Sequence, residues 1–434
     1  MPVTLALVGA GMRGSDYGRR AVRDGRARVV AVAEPVAERR EQAAAEHGLG
    51  PDQVFTDWRE LAALPRQADG VIVATRDVEH VEPAVAFAER GYHLLLEKPM
   101  APTEAGSEAI AEAAERAGVM LAVCHVMRYS AYTRALKGLI DAGRIGTVVS
   151  VQHLEPIGWW HFAHSYVRGN WRREDESSPM LLAKCCHDID WLAHIIGRPA
   201  RRVSSFGGLI HFRPENRPEG AADRCLDCAV EASCPYSASR TYLGFVGDPD
   251  RVHWPLSALT FDPSPEGVRE ALRHGPYGRC VYSCDNDVAD QQVVTIEYEG
   301  GVTASFTATA FTPMAFRKTR IFGSRGSIEG DGVRLTVEDF VSGTSEVIET
   351  DEGEEVSLAG DHGGADQALT DAFVAALAGG DPSPLLSDAR TSLASHRLVW
   401  AAERARRTGT VVSLADDGSP AGPRSTPIAP AESP

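Results

Sequence analysis

Lys98 stands between Glu97 and Pro99, at the end of the apolar run Leu94-Leu95-Leu96. A lysine held at the carboxyl end of a buried strand can hydrogen-bond a substrate hydroxyl and stabilise the alkoxide forming there. A solvated lysine in a turn is the plainer alternative. Far along the chain comes Lys184-Cys185-Cys186-His187-Asp188-Ile189-Asp190, in a segment of helical texture from Pro179 to Ile196. Lys184 and His187, three apart, share a helix face, and Asp188 is within reach of Lys184. Asp190 is placed to orient the imidazole. An imidazole with an ordinary pKa near ~6.5 suits removal of a hydroxyl proton as hydride leaves. A satisfied core histidine fits the same spacing.

Hydride chemistry needs an acceptor, and the opening of the chain offers a place for one. The strand-like run Val3 to Val8 leads into Gly9-Ala10-Gly11-Met12-Arg13-Gly14 and then a helical pattern. In that order the glycines mark a dinucleotide site. Gly9 permits the tight turn, Gly11 admits the pyrophosphate to the helix N-terminus, and Gly14 lets the helix lie close to the strand. A second apolar run, Val29 to Ala33, ends at Glu34. A carboxylate there accepts ribose hydroxyls and repels a 2′-phosphate, which favours NAD over NADP, with Arg39 as the argument for NADP. Ligands of open α/β sheets bind beyond the strand carboxyl ends, so Thr75, Arg76 and His80, after the strand Val71 to Ala74, join Met12, Arg13, Glu97 and Lys98 as cofactor residues.

Trp159 to Arg172 mixes aromatic rings, two histidines and arginines without clean periodicity, and reads as a loop. Aromatic faces and directed hydrogen bonds are how sugars are held, while arginine suits an anionic group on the ligand. His164 and Arg168 come first as substrate contacts, then His161, Trp171 and Asp188. Packing of the tryptophans into the core or a subunit interface is the alternative. Cys225, Cys228 and Cys234 fall in one loop-like insert, and Cys280 and Cys284 follow. Four of these five thiols could complete an all-thiolate zinc site in a segment with little core of its own. Buried free thiols account for them equally, and vicinal Cys185-Cys186 reads as core packing. His362-Gly363-Gly364 precedes a helix, and His362 could face the pocket.

These residues must be carried by alternating strands and helices over residues 1–125, the pattern of a Rossmann-type parallel sheet. From about Val148 the texture changes to alternating strands joined by tight turns such as Glu299-Gly300-Gly301, which predicts a large, mainly antiparallel sheet. The expected organisation is a dinucleotide-binding domain (1–125), an α/β domain (126–414) with a cysteine-rich insert (about 212–289), and a disordered Pro/Ser/Ala-rich tail (415–434). A formal net charge of −16 argues against nucleic acid or an anionic membrane as partner. No apolar run approaches the ~20 residues of a membrane helix, and the N-terminus does not read as a signal peptide. A cytoplasmic protein is expected, its eight cysteines thiols or metal ligands rather than disulfides.

Taken together, Gly9 to Gly14, Glu34, Glu97-Lys98-Pro99 and His187-Asp188-Ile189-Asp190 resemble the Gfo/Idh/MocA oxidoreductases, from Val3 to about Leu414. The resemblance implies a Rossmann domain with a second α/β domain whose open sheet mediates homodimers or homotetramers. It implies NAD(P)-dependent redox chemistry on a sugar, polyol or glycoside hydroxyl. Lys98 would then be the substrate-hydroxyl lysine and His187 the general base, with Lys184 assisting and the Lys98–Pro99 bond cis. Ala183 stands where many family members carry an aspartate, and Met127-Arg128-Tyr129 where Asn-Arg-Phe is common. Two other outcomes stay open: glycoside cleavage through transient sugar oxidation without net redox, and a non-catalytic nucleotide or sugar sensor.

Overall fold

Strand β1 (Val3–Val8) lies at the middle of a six-stranded parallel sheet. Its companions are β2 (Ala27–Ala33), β3 (Val54–Phe55), β4 (Gly70–Val73), β5 (His93–Leu96) and β6 (Leu121–Val123), in the order β3-β2-β1-β4-β5-β6. The computed structural model describes residues 1–350, 362–415 and 419. Strands β1, β4 and β5 are buried on both faces because helices cover both sides, which is why they read as unbroken apolar runs. The strand order reverses beside β1, and the carboxyl ends of β1 and β4 there frame a crevice.

A nine-stranded sheet forms the second layer: β7 (Val148–Pro156), β8 (Ala200–Gly208), β9 (Gln291–Tyr298), β10 (Thr303–Thr309), β11 (Lys318–Gly323), β12 (Gly326–Gly330), β13 (Arg334–Asp339), β14 (Thr344–Glu349) and β15 (Val412–Ser413). Its order is β14-β13-β12-β11-β7-β10-β9-β8-β15, antiparallel except where β10 runs parallel to β7. Val151, His153 and Glu155 alternate toward the buried face of β7, so one strand delivers both core and chemistry. The long helix Ala389–Thr408 packs against β6 and against β8, tying the two sheets together.

Two segments differ from the sequence expectation. The single helix foreseen from Pro179 to Ile196 is two, Met180–Ala183 and Cys186–Ile196, broken at Lys184-Cys185. The break frees the Ala183 carbonyl from the helical ladder, and Lys98 takes it up. The stretch read as a loop, Trp159 to Arg172, is instead a helical turn (Trp159–Phe162) continuing into a wider π-helical turn (Ala163–Arg168). The wider winding displaces its aromatic residues from a 3.6-residue period, which hid the helix. The His362 side chain and the expected disordered tail beyond Ala415, Ser419 apart, lie outside the described residues.

Candidate active site

The glycine turn after β1 is built by close approach. Gly9 has φ +87°, and a Cβ there would meet the Ala74 carbonyl oxygen at 2.6 Å. A Cβ on Gly14 would fall 1.9 Å from the Gly9 oxygen. Gly11 is different: its backbone is extended, and a Cβ would find nothing of the protein nearer than Arg39, at 3.9 Å. It faces a cleft of about 1280 Å³ lined from both sheets. Glycine is thus demanded at positions 9 and 14 by the fold, whereas position 11 is left open toward the cleft. Ala10, Met12, Arg13, Thr75, Arg76, Glu97 and Lys98 line the same end. The Thr75 hydroxyl oxygen there is buried without a hydrogen-bond partner, so the cleft wall presents an unanswered polar atom to a ligand. Turn, helix N-terminus and polar wall all fit a dinucleotide.

Glu97 holds this end together. It accepts from Arg13 Nε at 2.8 Å, Tyr17 at 3.2 Å and the Lys98 backbone N–H at 2.6 Å, while Arg13 also pairs with buried Asp366. Burial alone would raise the Glu97 carboxyl, but Arg13 and Lys98 hold it below the usual range. Glu34 accepts from the backbone N–H groups of Ala10 at 2.7 Å and Val36 at 2.9 Å. It braces the turn from behind, and Arg39 rather than Glu34 lines the cleft. His80 was expected at the cofactor but is fully buried, with Nδ1 2.8 Å from the Pro99 carbonyl and Nε2 3.2 Å from the Thr75 carbonyl. Two carbonyls within its reach make it a clamp between β4 and the Lys98–Pro99 bend, which is cis.

Lys98 and His187 line the same cleft from different halves of the chain. Lys98 Nζ donates to the Ala183 carbonyl at 3.0 Å, on the turn that precedes His187. His187 is 4% exposed, with the His125 ring set edge-on at 5.9 Å between centroids. Behind it, His396 donates from Nδ1 to the Ser392 carbonyl and accepts the Met100 N–H on Nε2, which fixes one neutral tautomer. Burial lowers His125 to about 4 and His396 to about 3.

Three expected roles are corrected. Asp190 does not orient His187: both its oxygens accept from Arg128, at 2.6 and 2.8 Å, and one also from Ser395. Burial would raise that carboxyl, but His125 and Arg128 hold it at about 2. Asp188 is neither Lys184's partner nor a cleft residue. It is fully buried against His153 Nε2 at 3.1 Å and Arg317 Nε at 3.0 Å, because these side chains project from β7 and the β10–β11 turn onto it. Arg168 points away from the cleft, donating to the carbonyls of Arg279 and Tyr236, each at 2.8 Å.

The expected substrate residues that do reach the cleft are His161, His164 and Trp171, together with Lys184, expected to assist Lys98. Burial lowers His161 and His164, the latter to about 3, so both rings are neutral near pH 7. Trp171 Nε1 donates to Asp77 at 3.0 Å, leaving its ring on the wall. Lys184 pairs with Glu155 at 3.3 Å, and Glu155 with Arg317 at 2.6 Å. Neither Glu155 nor Arg317 was foreseen from sequence. A charged residue on the inward parity of β7 was the available signal for Glu155; Arg317, in a turn, carried none. Trp254 and Tyr277 of the insert also face the cleft, with Tyr277 stacked on His164 at 4.7 Å.

Three cysteines of the insert, Cys225, Cys228 and Cys234, share a small cavity with Cys280, while Cys284 lies outside it. Among the described residues, no group of three or more His, Cys, Asp or Glu side chains is arranged to hold a metal ion as it stands. No helix among them is long and apolar enough to cross a membrane.

Residues 3–125 match the family model described as an oxidoreductase family NAD-binding Rossmann fold, and residues 137–414 match the family's C-terminal alpha/beta domain. An inositol 2-dehydrogenase of Streptomyces avermitilis is 35% identical over 225 residues, 50% of this chain and 60% of that protein. A 2,7-anhydro-N-acetylneuraminate hydratase of Mediterraneibacter gnavus is 30% identical over 213 residues, 49% of this chain and 54% of that protein. The chain therefore spans just over half the length of these curated relatives. Among solved structures, a levoglucosan dehydrogenase in complex with NADH and L-sorbose superposes with a TM-score of 0.70 at 18% identity, covering 95% of this chain and 99% of that one. At that identity the likeness concerns the fold. With both halves matched by the paired family models, the chain belongs to the Gfo/Idh/MocA oxidoreductase family.

Proposed function

We propose that this chain is an NAD-dependent dehydrogenase acting on a hydroxyl of a sugar, polyol or glycoside. One observation carries the reading: an amine, Lys98, and an imidazole, His187, from separate halves of the chain line the cleft that the glycine turn opens. When bound, NAD supplies the hydride acceptor. His187 takes the hydroxyl proton as the carbinol hydride departs, and Lys98, steadied by the Ala183 carbonyl, donates a hydrogen bond to the developing alkoxide. Lys184, paired with Glu155, sits farther along the wall as a donor to neighbouring hydroxyls. Neutral His161 and His164 with the rings of Trp171, Trp254 and Tyr277 supply the flat apolar and hydrogen-bonding surface a pyranose or glycoside needs.

Glu34 at the end of β2 favours NAD over NADP only at longer range, its negative charge lying behind the turn beside which a 2′-phosphate would sit. Arg39 on the cleft wall is the competing feature, and comparing kcat/KM for the two cofactors decides between them. The outward face of the nine-stranded sheet leaves Phe206, Val293, Phe322 and Val347 exposed, which supports a homodimer or homotetramer, to be read from solution mass by light scattering.

A second reading has its own support. Ala183 removes a carboxylate from the proton path, while Glu155, buried between Lys184 and Arg317, offers another proton-handling group. Transient oxidation would acidify a neighbouring C–H, elimination would expel the glycosidic oxygen, and addition of water with return of the hydride would complete the cycle without net redox, such a pair handling the protons. Sugars, polyols and aryl glycosides are to be incubated with NAD while reduced cofactor and released aglycone are followed together. Steady accumulation of reduced cofactor selects the dehydrogenase; aglycone without it selects the redox-neutral reaction. Neither signal across the panel, with the cofactor bound, removes both.

A further inference from the structure

The insert between β8 and β9 folds around a small apolar cluster that includes Tyr242, Leu256, Val268 and Leu272. Beside that cluster, Cys225, Cys228, Cys234 and Cys280 line one cavity of about 20 Å³, room for a single water-sized body. The backbone puts them there. Cys225 and Cys228 bracket one tight turn, with the Cys228 N–H 3.4 Å from the Cys225 carbonyl. Cys234 closes the next turn, its N–H donating to Glu231 at 3.2 Å. An antiparallel bridge pairs Arg224 with Arg279, and the Cys280 N–H donates to the Asp223 carbonyl at 2.8 Å, so the segments carrying Cys225 and Cys280 are held side by side at the cavity. Cys284 is directed elsewhere, toward the Cys280 carbonyl at 3.3 Å.

Arg168 supplies an independent clue. Arg168 is 3% exposed and has no carboxylate partner among the described residues; its guanidinium meets two carbonyls, the Tyr242 hydroxyl and, at 3.6 Å, the Cys225 sulfur. A buried cation without a counterion is costly. Four thiolates around a divalent ion carry a net charge of about −2, and an N–H donor on one sulfur is the usual outer contact of such a centre.

We propose that Cys225, Cys228, Cys234 and Cys280 bind one zinc ion, with Arg168 as its buried counter-charge and Cys284 as a bystander. The thiols share the cavity without being arranged as a closed ligand set, so binding turns the sulfurs inward and orders the turns that carry them. The segment so fixed ends next to Tyr277, on the cleft wall. The site is structural, and it stands or falls separately from the proposed redox activity.

The test is elemental analysis of full-length, untagged protein, alone and as single serine variants. About one zinc per chain is expected. Cys228→Ser and Cys280→Ser should lose it, whereas Cys284→Ser should keep it. Should the serine variants fail to fold, titrating the parent protein with a mercurial before a metal-indicator dye gives the same answer, zinc leaving as the cavity thiols react. Zinc well below one equivalent, full retention in Cys228→Ser, loss in Cys284→Ser, or iron with inorganic sulfide in its place would each overturn the assignment.

Discussion

The Lys98 ammonium donates to the Ala183 carbonyl across 3.0 Å, joining the end of β5 to the helix break that presents His187. That single bond couples the Rossmann side of the cleft to the side formed by the C-terminal domain. It exists because the helix is interrupted at Lys184, leaving a carbonyl free to accept.

Lys98→Ala should lower kcat by about 100-fold or more, as expected for loss of a group that stabilises a developing oxyanion. Affinity for NAD, measured by calorimetry, should change by only a few-fold. Turnover that survives the change would remove Lys98 from the chemistry.

Gly11→Ala and Gly14→Ala should part company. The first has extended backbone and open space, so melting should stay within about 0.5 kcal/mol of the parent while NAD affinity drops about tenfold or more. The second would drive a methyl against the Gly9 carbonyl and should prevent folding. Equal behaviour of the two variants would contradict the division between fold-imposed and ligand-imposed glycine.

Arg128→Met leaves the Asp190 carboxylate buried without its bidentate partner and should cost about 3–5 kcal/mol in chemical denaturation. Replacing both residues by leucine should recover much of that loss, because the second substitution removes the stranded charge. A pH–rate profile shifted by Arg128→Met at unchanged stability would instead reinstate Asp190 as a partner of His187.

Acid should destabilise the fold from about pH 6.5 downward. His125 is held at about 4, and His164 and His396 at about 3, by burial first of all. The unfolded chain takes up these protons near its ordinary pKa of ~6.5 and the folded chain does not, so stability falls as pH drops through that window. Asp190, held at about 2 against an unfolded value near ~3.9, adds a further loss below about pH 4. With His161 and His194, the latter held at about 4, also lowered by burial, urea midpoints from about pH 7 to pH 5 should decline with an uptake of roughly five protons on unfolding. A flat profile would mean these rings are protonated in the native state.

The cofactor end was legible in the chain because its chemistry is local. Gly9, Gly11 and Gly14 fall within one turn, the strands beside them are uninterrupted apolar runs, and period alone separates strand from helix. Lys98 could be placed because Leu94 to Leu96 carry it to a strand end. The strands after Val148 were likewise visible as alternating runs, though the two-residue β15, like β3 of the first sheet, gave no pattern to read.

What the sequence determined by itself was therefore the order of elements, the nucleotide turn, and the pair Lys98 and His187 as candidates for chemistry. Tertiary packing decided the partners. Asp190 went to Arg128, Asp188 to His153 and Arg317, Lys184 to Glu155, and Arg168 to the cysteine insert. The reason is physical: a buried charge takes whichever opposite charge or dipole the fold brings within about 3 Å, and that neighbour comes from a distant stretch of chain. Helical spacing can say which side chains share a face, but not what the opposing face will offer them.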